Sequence, residues 1–368
     1  MANRILCLNF GSTSTKIAAF SDEEKIFSKS WSAGDGEYPD HFEDLAEHEA
    51  FAADLIEKEL KKHGLTFEDF DIFSARGGAQ VFIESGAYGI NDIMLEDTYK
   101  FGGEKGHPGK LATRICGKLG KKFSKPAYII NGPSVDEFQD VARMTDFKDL
   151  YRQSRIHALN QKEIAHRYAK ENGKKYEDLN LIICHIGGGM SITAHRKGLM
   201  VDSNDIIEGE GPMTATRSGA IPSAPLVRMC YSGKYTEHEM LSHITKTGGL
   251  TDHLGTDDLR KVEQKIKDGD QYAKMVLNSM IYQIAKTAGS MAVVLKGQAD
   301  RILLTGGMAH SEYLVSSLKE YLGWIADFTV YPGEFEMEAL AAGALRVARG
   351  EENAKEYTGK DVWDGFHF

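Results

Sequence analysis

Short apolar runs that end in glycine-rich turns recur along the chain and set the expected elements. Ile5, Leu6, Cys7 and Leu8 are continuously apolar, as suits a strand buried on both faces. Asn9, Gly11, Ser12, Thr13, Ser14, Thr15 and Lys16 then crowd donors and one cation into a turn, and Ile17 to Phe20 is apolar again. The pattern predicts a hairpin whose turn can surround an anionic cluster of oxygens. Gly11 permits positive φ or a close approach, and the hydroxyls, amide and ammonium supply donors. An ordinary hairpin with a Ser/Thr turn fits the same residues. A Walker A loop does not, because no G-x-x-x-x-G-K-[ST] occurs and the turn leads into strand-type residues.

The device returns at Leu181, Ile182, Ile183, Cys184, His185 and Ile186, followed by Gly187, Gly188 and Gly189 and then Ser191, Ile192 and Thr193. Two such hairpins predict a duplicated α/β architecture whose halves face one nucleotide across a cleft. Coincidence is the alternative, since glycine turns between strands are common. A third block, Arg301 to Gly307, again ends an apolar strand in paired glycines, and a helical run follows from Ser311. Ala127 to Ile130 predicts a strand closed by the turn Asn131, Gly132, Pro133. Helical periodicity covers Glu47 to Gly64, with Phe51, Leu55, Ile56 and Leu60 on one face, and Gln161 to Lys170. It also covers Asp270 to Lys296, with Tyr272, Met275, Val276 and Leu277 turned inward, and Glu338 to Arg349. The polar tail from Gly350 to Phe368 reads as partly loose.

Length changes the picture first: 368 residues suit two domains. With 44 Lys plus Arg against 54 Asp plus Glu, the net charge of −10 argues against nucleic acid or an anionic membrane as partner, so positive charge for an anionic substrate must be local. Cys7, Cys116, Cys184 and Cys230 show no C-x-x-C pairing and read as buried, reduced thiols of a cytoplasmic protein. The 13 His show no zinc spacing with Cys. No run of about 18 apolar residues occurs, so no membrane span is expected.

Eight blocks carry a resemblance: FGSTSTK at Phe10 to Lys16, ARGG at Ala75 to Gly78, VDEFQDVAR at Val135 to Arg143, RIHALNQK at Arg155 to Lys162, HIGGGMSI at His185 to Ile192, AHRKG at Ala194 to Gly198, TRSG at Thr216 to Gly219 and LLTGGMAH at Leu303 to His310. In order and spacing the chain resembles the butyrate kinases, and more broadly the acetate kinase group within the superfamily that holds actin, the heat-shock chaperone ATPases and the sugar kinases. The resemblance implies two duplicated α/β domains of the actin-like ATPase, ribonuclease H-like type, with ATP and Mg²⁺ in an interdomain cleft. The expected division is 1–153, joined by the C-terminal helix and tail 338–368, and 154–337. The implied reaction is ATP-dependent phosphorylation of a short-chain carboxylic acid, butyrate or a branched analogue, and its reverse. A nucleotide-binding actin-like module with weak or no kinase activity is the second reading. The resemblance also implies a homodimer or larger assembly.

It assigns roles residue by residue. Asn9, Ser12, Ser14 and Lys16 hold phosphate and metal-bound water, and His185, Gly187, Gly188 and Gly189 do so in the second hairpin, backbone N–H groups facing the phosphates. Arg217 stabilises the transferring phosphoryl group, and His157 lies beside it. Arg76 falls in the block where acetate kinases place a substrate-carboxylate arginine, and His107 matches a further histidine. Gly306, Gly307 and Met308 border the adenosine, while Ser14 and Glu336 lie near Mg²⁺. Relatives carry Asp at a strand end where this chain has Asn131, in the run Asn131, Gly132, Pro133, Ser134, Val135, Asp136, Glu137. An amide oxygen there can ligate but brings no charge.

Overall fold

The computed structural model describes residues 2–11, 14–32, 34, 36–39, 41–78, 80–100 and 109–366; Ser12 and His107 lie outside these. Among the described residues, strands β1 (Arg4–Phe10), β2 (Ser14–Ser21), β3 (Glu24–Ser32), β4 (Ile72–Ala75), β5 (Ala87–Gly89), β6 (Ala127–Ile130), β7 (Asn180–Ile186), β8 (Met190–Arg196), β9 (Leu199–Ser203), β10 (Arg301–Gly306), β11 (Phe328–Pro332) and β12 (Lys355–Glu356) form two sheets. The first has the order β12-β5-β6-β4-β1-β2-β3 and the second β11-β10-β7-β8-β9.

Both sheets grow from the same motif. In each, an antiparallel meander of three strands (β1-β2-β3 and β7-β8-β9) is extended on its first strand by two parallel strands, β4 and β6 in one, β10 and β11 in the other. The order is therefore third-second-first-fourth-fifth twice over, and the duplication expected from the two glycine hairpins is present in the strand pairing.

Chain contacts divide the molecule into one unit of Met1–Asp136, Ala158–Glu163 and Phe335–Phe368, and a second of Glu137–His157 and Ile164–Glu334. Residues 137–153, expected with the first half, go with the second. The reason is visible in their bonds: Met200 N–H donates to the Glu137 carboxylate at 2.8 Å, Gln139 N–H donates to Val201 O at 3.1 Å, and Arg152 pairs with Asp202 and Glu210.

In the first unit, strand alternation sorts β1 into two faces. Leu6, Leu8 and Phe10 join Ile17 and Ala19 in a core covered by the Leu45–Lys62 and Gly109–Phe123 helices. Ile5 and Cys7 join Ala18 and Phe20 beneath the Glu336–Ala348 helix, which contributes Leu340, Ala344 and Leu345. The Leu45–Lys62 helix starts at Asp44, whose carboxylate accepts Glu47 N–H at 2.8 Å, and ends before Gly64 at φ +67°. The tail from Gly350 is anchored, not loose. Tyr357 is fully buried, its hydroxyl donating to Asp97 Oδ2 at 2.7 Å and accepting Val81 N–H at 3.2 Å, and Lys355–Glu356 adds a strand.

In the second unit, Ile182, Cys184 and Ile186 of β7 and Ile302 and Leu304 of β10 pack against the Gln271–Val294 helix. Its buried stripe is Ala273, Val276, Leu277, Met280, Ile281 and Ile284. Tyr272 and Met275, expected inward, are 57% and 65% exposed because they fall outside that stripe. Cys230 is likewise exposed, at the end of the Ser223–Cys230 helix, while Cys7, Cys116 and Cys184 are buried. No helix among the described residues is long and apolar enough to cross a membrane.

Candidate active site

The first unit builds one polar constellation at the tip of the β1–β2 hairpin. With Leu8 and Phe10 committed to one face, Asn9 must point to the other, and β2 places Lys16 directly opposite it in register. The Glu336–Ala348 helix covers that face and begins there with Glu336, an acid at the positive end of a helix. Asn9 Nδ2 donates to Glu336 Oε2 at 2.6 Å, and Lys16 Nζ lies 3.9 Å from the same oxygen. Arg76, just past β4, donates from Nη1 to Asn9 Oδ1 at 3.3 Å. Asn9, Lys16, Arg76 and Glu336, far apart in the chain, are thus brought together. Ser14 opens β2 at the same end and accepts Gly11 N–H on its carbonyl at 2.8 Å.

Asn131 follows the last residue of β6 and has φ +41°, a conformation that asparagine tolerates. Its Oδ1 accepts Gly86 N–H at 2.7 Å, and its own N–H donates to Gly86 O at 3.1 Å. The amide oxygen therefore already carries a structural bond.

The second unit builds its constellation on the β7–β8 hairpin. His185, 2% exposed near the end of β7, stacks on His157 with ring centroids 3.9 Å apart and planes 11° apart. Ser191, the second residue of β8, fixes His157 from the side: its Oγ lies 2.9 Å from His157 Nδ1 and accepts His157 N–H at 3.3 Å. Within the turn, Gly187 N–H donates to Gly189 O at 3.2 Å, so the amide expected to face phosphate at Gly187 is spent internally.

Arg217 lies on this turn. A Cβ added to Gly189 would stand 1.9 Å from Arg217 Nη1, so glycine is required for the guanidinium to rest there. That Nη1 is buried without a hydrogen-bond partner among the described residues. Burial lowers the Arg217 pKa, and the Asp205 carboxylate partly offsets it. Arginine stays charged all the same, so an unpaired cationic donor is held out of water. An anionic ligand is the group that would satisfy it.

The remaining predicted residues flank β10. Gly306 ends it at φ +92°, where a Cβ would meet Ile186 O at 2.4 Å, and it exchanges two backbone bonds with Gly333 at 3.0 Å. A Cβ at Gly188 or Gly307 would meet nothing within 4 Å, leaving room for a ligand beside both. Met308 is buried in the short turn Gly307–His310.

Two residues escaped the sequence reading. Ser191 lies inside HIGGGMSI without an assigned role, and Thr214 lies three residues before Arg217, a spacing at which a hydroxyl can bond the backbone of its own loop. That spacing is the signal that could have found Thr214.

The donor set fits a phosphate ester and Mg²⁺. No group of three or more His, Cys, Asp or Glu among the described residues could hold a metal by itself. The Glu336 carboxylate stands beside the Asn9 amide and the Lys16 ammonium, and Mg²⁺ commonly takes one or two carboxylates plus phosphate and water.

Comparison with known proteins agrees with this chemistry. The Acetokinase family model matches residues 141–323. Butyrate kinase 2 of Clostridium acetobutylicum is 43% identical over 97% of this chain and 100% of its own length. A probable butyrate kinase 2 of Caldanaerobacter subterraneus is 44% identical over 96% of this chain and 99% of its own. Among solved structures, Porphyromonas gingivalis acetate kinase matches with a TM-score of 0.74 at 17% identity, covering 94% of this chain and 100% of that one. At that identity the likeness establishes the shared fold alone. By its sequence likeness over nearly its whole length, the chain belongs to the acetokinase family and stands beside the butyrate kinases.

Proposed function

We propose that the protein moves a phosphoryl group between ATP and a short-chain carboxylic acid, butyrate or a branched analogue, in both directions. The observation that carries this is Arg217: a half-buried guanidinium set against a glycine hairpin, with its Nη1 buried and without a hydrogen-bond partner among the described residues. In the forward direction a carboxylate oxygen of the acid forms a bond to the γ-phosphorus as the bond to the β-phosphate oxygen breaks, leaving acyl phosphate and ADP. A carboxylic acid with a pKa near roughly 4.3 is already ionised at neutral pH, so no general base is needed. What the reaction needs is positioning and neutralisation of charge.

The residues divide that work. Arg217, with a planar fork of donors, meets the transferring group, and His157 lies beside it. Arg76 binds the acid's carboxylate. Asn9, Ser14 and Lys16 hold phosphate oxygens, with Gly188 and Gly189 backing the second hairpin and Gly306, Gly307 and Met308 bordering the nucleoside. Mg²⁺ would supply charge neutralisation on the phosphates, and Glu336 and Ser14 are the residues that would hold it through water. The likeness to butyrate kinases weighs against a non-catalytic nucleotide module. We also infer a cytoplasmic homodimer or larger assembly.

Trapping acyl phosphate as hydroxamate, with ATP, Mg²⁺ and acids from acetate to phenylacetate, tests the reading. Product is expected with short apolar acids and none with hexoses; phosphorylation of a sugar alone would overturn it. Arg217→Ala should lower kcat by roughly 10³- to 10⁵-fold with a smaller change in KM for ATP, because the contact forms mainly in the transition state.

A further inference from the structure

One hydroxyl joins the glycine turn to the arginine. Thr214 is 4% exposed, and its Oγ1 donates to Gly188 O at 2.6 Å while accepting Thr216 N–H at 3.2 Å and Arg217 N–H at 3.1 Å. A hydroxyl offers one proton and two lone pairs, so all three are used. The Thr214 backbone adds to this: its N–H donates to Arg217 O at 3.0 Å and its carbonyl accepts Leu250 N–H at 3.0 Å. Space around it is closed, since a Cβ at Gly249 would stand 1.9 Å from Thr214 O. Thr216 Oγ1 also approaches Gly188 O, at a longer 3.4 Å.

We propose that Thr214 is the positioning residue of Arg217: its hydroxyl clamps the arginine's backbone to the carbonyl of Gly188, so that the guanidinium lies against Gly189. The inference rests on the reading of Arg217 as the group that meets the transferring phosphoryl. An arginine side chain has many rotamers, and a donor must be in place before charge develops for it to act without reorganising. Bonds from one hydroxyl to Gly188 O and Arg217 N–H remove backbone drift from the loop that carries the guanidinium.

The test compares Thr214→Val, which keeps the volume and loses the hydroxyl, with Thr214→Ser, which keeps the hydroxyl. Thr214→Ala serves as a second hydroxyl-free variant should the valine fail to fold. Misplacement of a reacting group by an ångström can cost about 10²-fold, so kcat should fall by about 10- to 100-fold in the valine variant with KM for ATP within about threefold. Serine should restore kcat to within about threefold of the parent by renewing the same bonds. Amide hydrogen exchange at Thr216 and Arg217 should quicken in the valine variant and not in the serine one. An unchanged kcat in the folded valine variant, an equal loss in valine and serine variants, a rise in KM alone, or unchanged exchange would each overturn the proposal. If the parent phosphorylates no acid, the kinase reading falls separately, and exchange at the two amides still decides whether the hydroxyl holds Arg217.

Discussion

At Gly189 a single hydrogen atom decides where a cation sits. The Arg217 guanidinium occupies the space that a side chain would fill, with Nη1 at 1.9 Å from an added Cβ. The obstructing atom is the end of a flexible side chain and not backbone, so the fold should tolerate Gly189→Ala while the arginine swings away. Expected is a loss of kcat by about 10²-fold with thermal unfolding little changed, read by hydroxamate formation and calorimetry on the same preparation. Asn131 presents a different case. Its Oδ1 holds Gly86 N–H at 2.7 Å, a bond that an aspartate oxygen can also accept, and aspartate tolerates positive φ. Asn131→Asp should therefore fold normally and add one negative charge. If that charge reaches Mg²⁺, the Mg²⁺ concentration for half-maximal rate falls; an unchanged Mg²⁺ curve would place the position away from the metal.

At the scale of elements, the β1–β2 hairpin and the C-terminal segment show opposite degrees of legibility. The hairpin follows from its own residues: apolar strand, donor-rich turn, apolar strand. The tail's polar composition hides Tyr357, whose ring is fully buried and whose hydroxyl bridges Asp97 and Val81. Nothing local marks that burial, because the pocket is lined by residues more than two hundred positions upstream. Removing the hydroxyl takes the acceptor from Val81 N–H and the donor from Asp97 Oδ2, so Tyr357→Phe should destabilise the protein by about 1–3 kcal/mol. Urea unfolding measures it, and a midpoint equal to the parent's would show that the hydroxyl contributes no stability.

Stability against pH is a property of the whole molecule, and His48 should leave a mark on it. Its ring stacks on Phe42 at 3.9 Å and its Nε2 faces Tyr38 Oη, which accepts the Thr15 hydroxyl at 3.0 Å and so turns its own proton to the imidazole. Burial lowers the His48 pKa to about 4, against a smaller upward pull from Glu47. In the unfolded chain the imidazole titrates near roughly 6.5, so between that pH and about 4 the unfolded state binds more protons. The stability contribution is present above pH 6.5 and is lost as pH falls through this window. Measured unfolding free energies should decline more steeply from pH 6.5 to 4 in the parent than in His48→Gln; parallel curves would remove His48 as the cause.

Local pattern determined β1, β2, β6, β7, β8 and β10, the Leu45–Lys62, Ala158–Glu171, Gln271–Val294, Glu312–Leu322 and Glu336–Ala348 helices and both glycine hairpins, because periodic burial and turn chemistry act over a few residues. It also carried the family likeness, through blocks such as RIHALNQK and TRSG whose residues are contiguous. Tertiary structure decided what lies against what. Asn9 meets Glu336 because alternation on β1 turns it toward a helix from the other end of the chain. Residues 137–153 join the second unit because Glu137, Gln139 and Arg152 bond to β9 and the loop beyond it. Tyr272 and Met275 are exposed because a long, mostly apolar helix does not show by composition which stripe its neighbours will cover. The clamp at Thr214 is of the same kind: the hydroxyl is visible in the sequence, but its three partners converge only once the loop folds back on the hairpin.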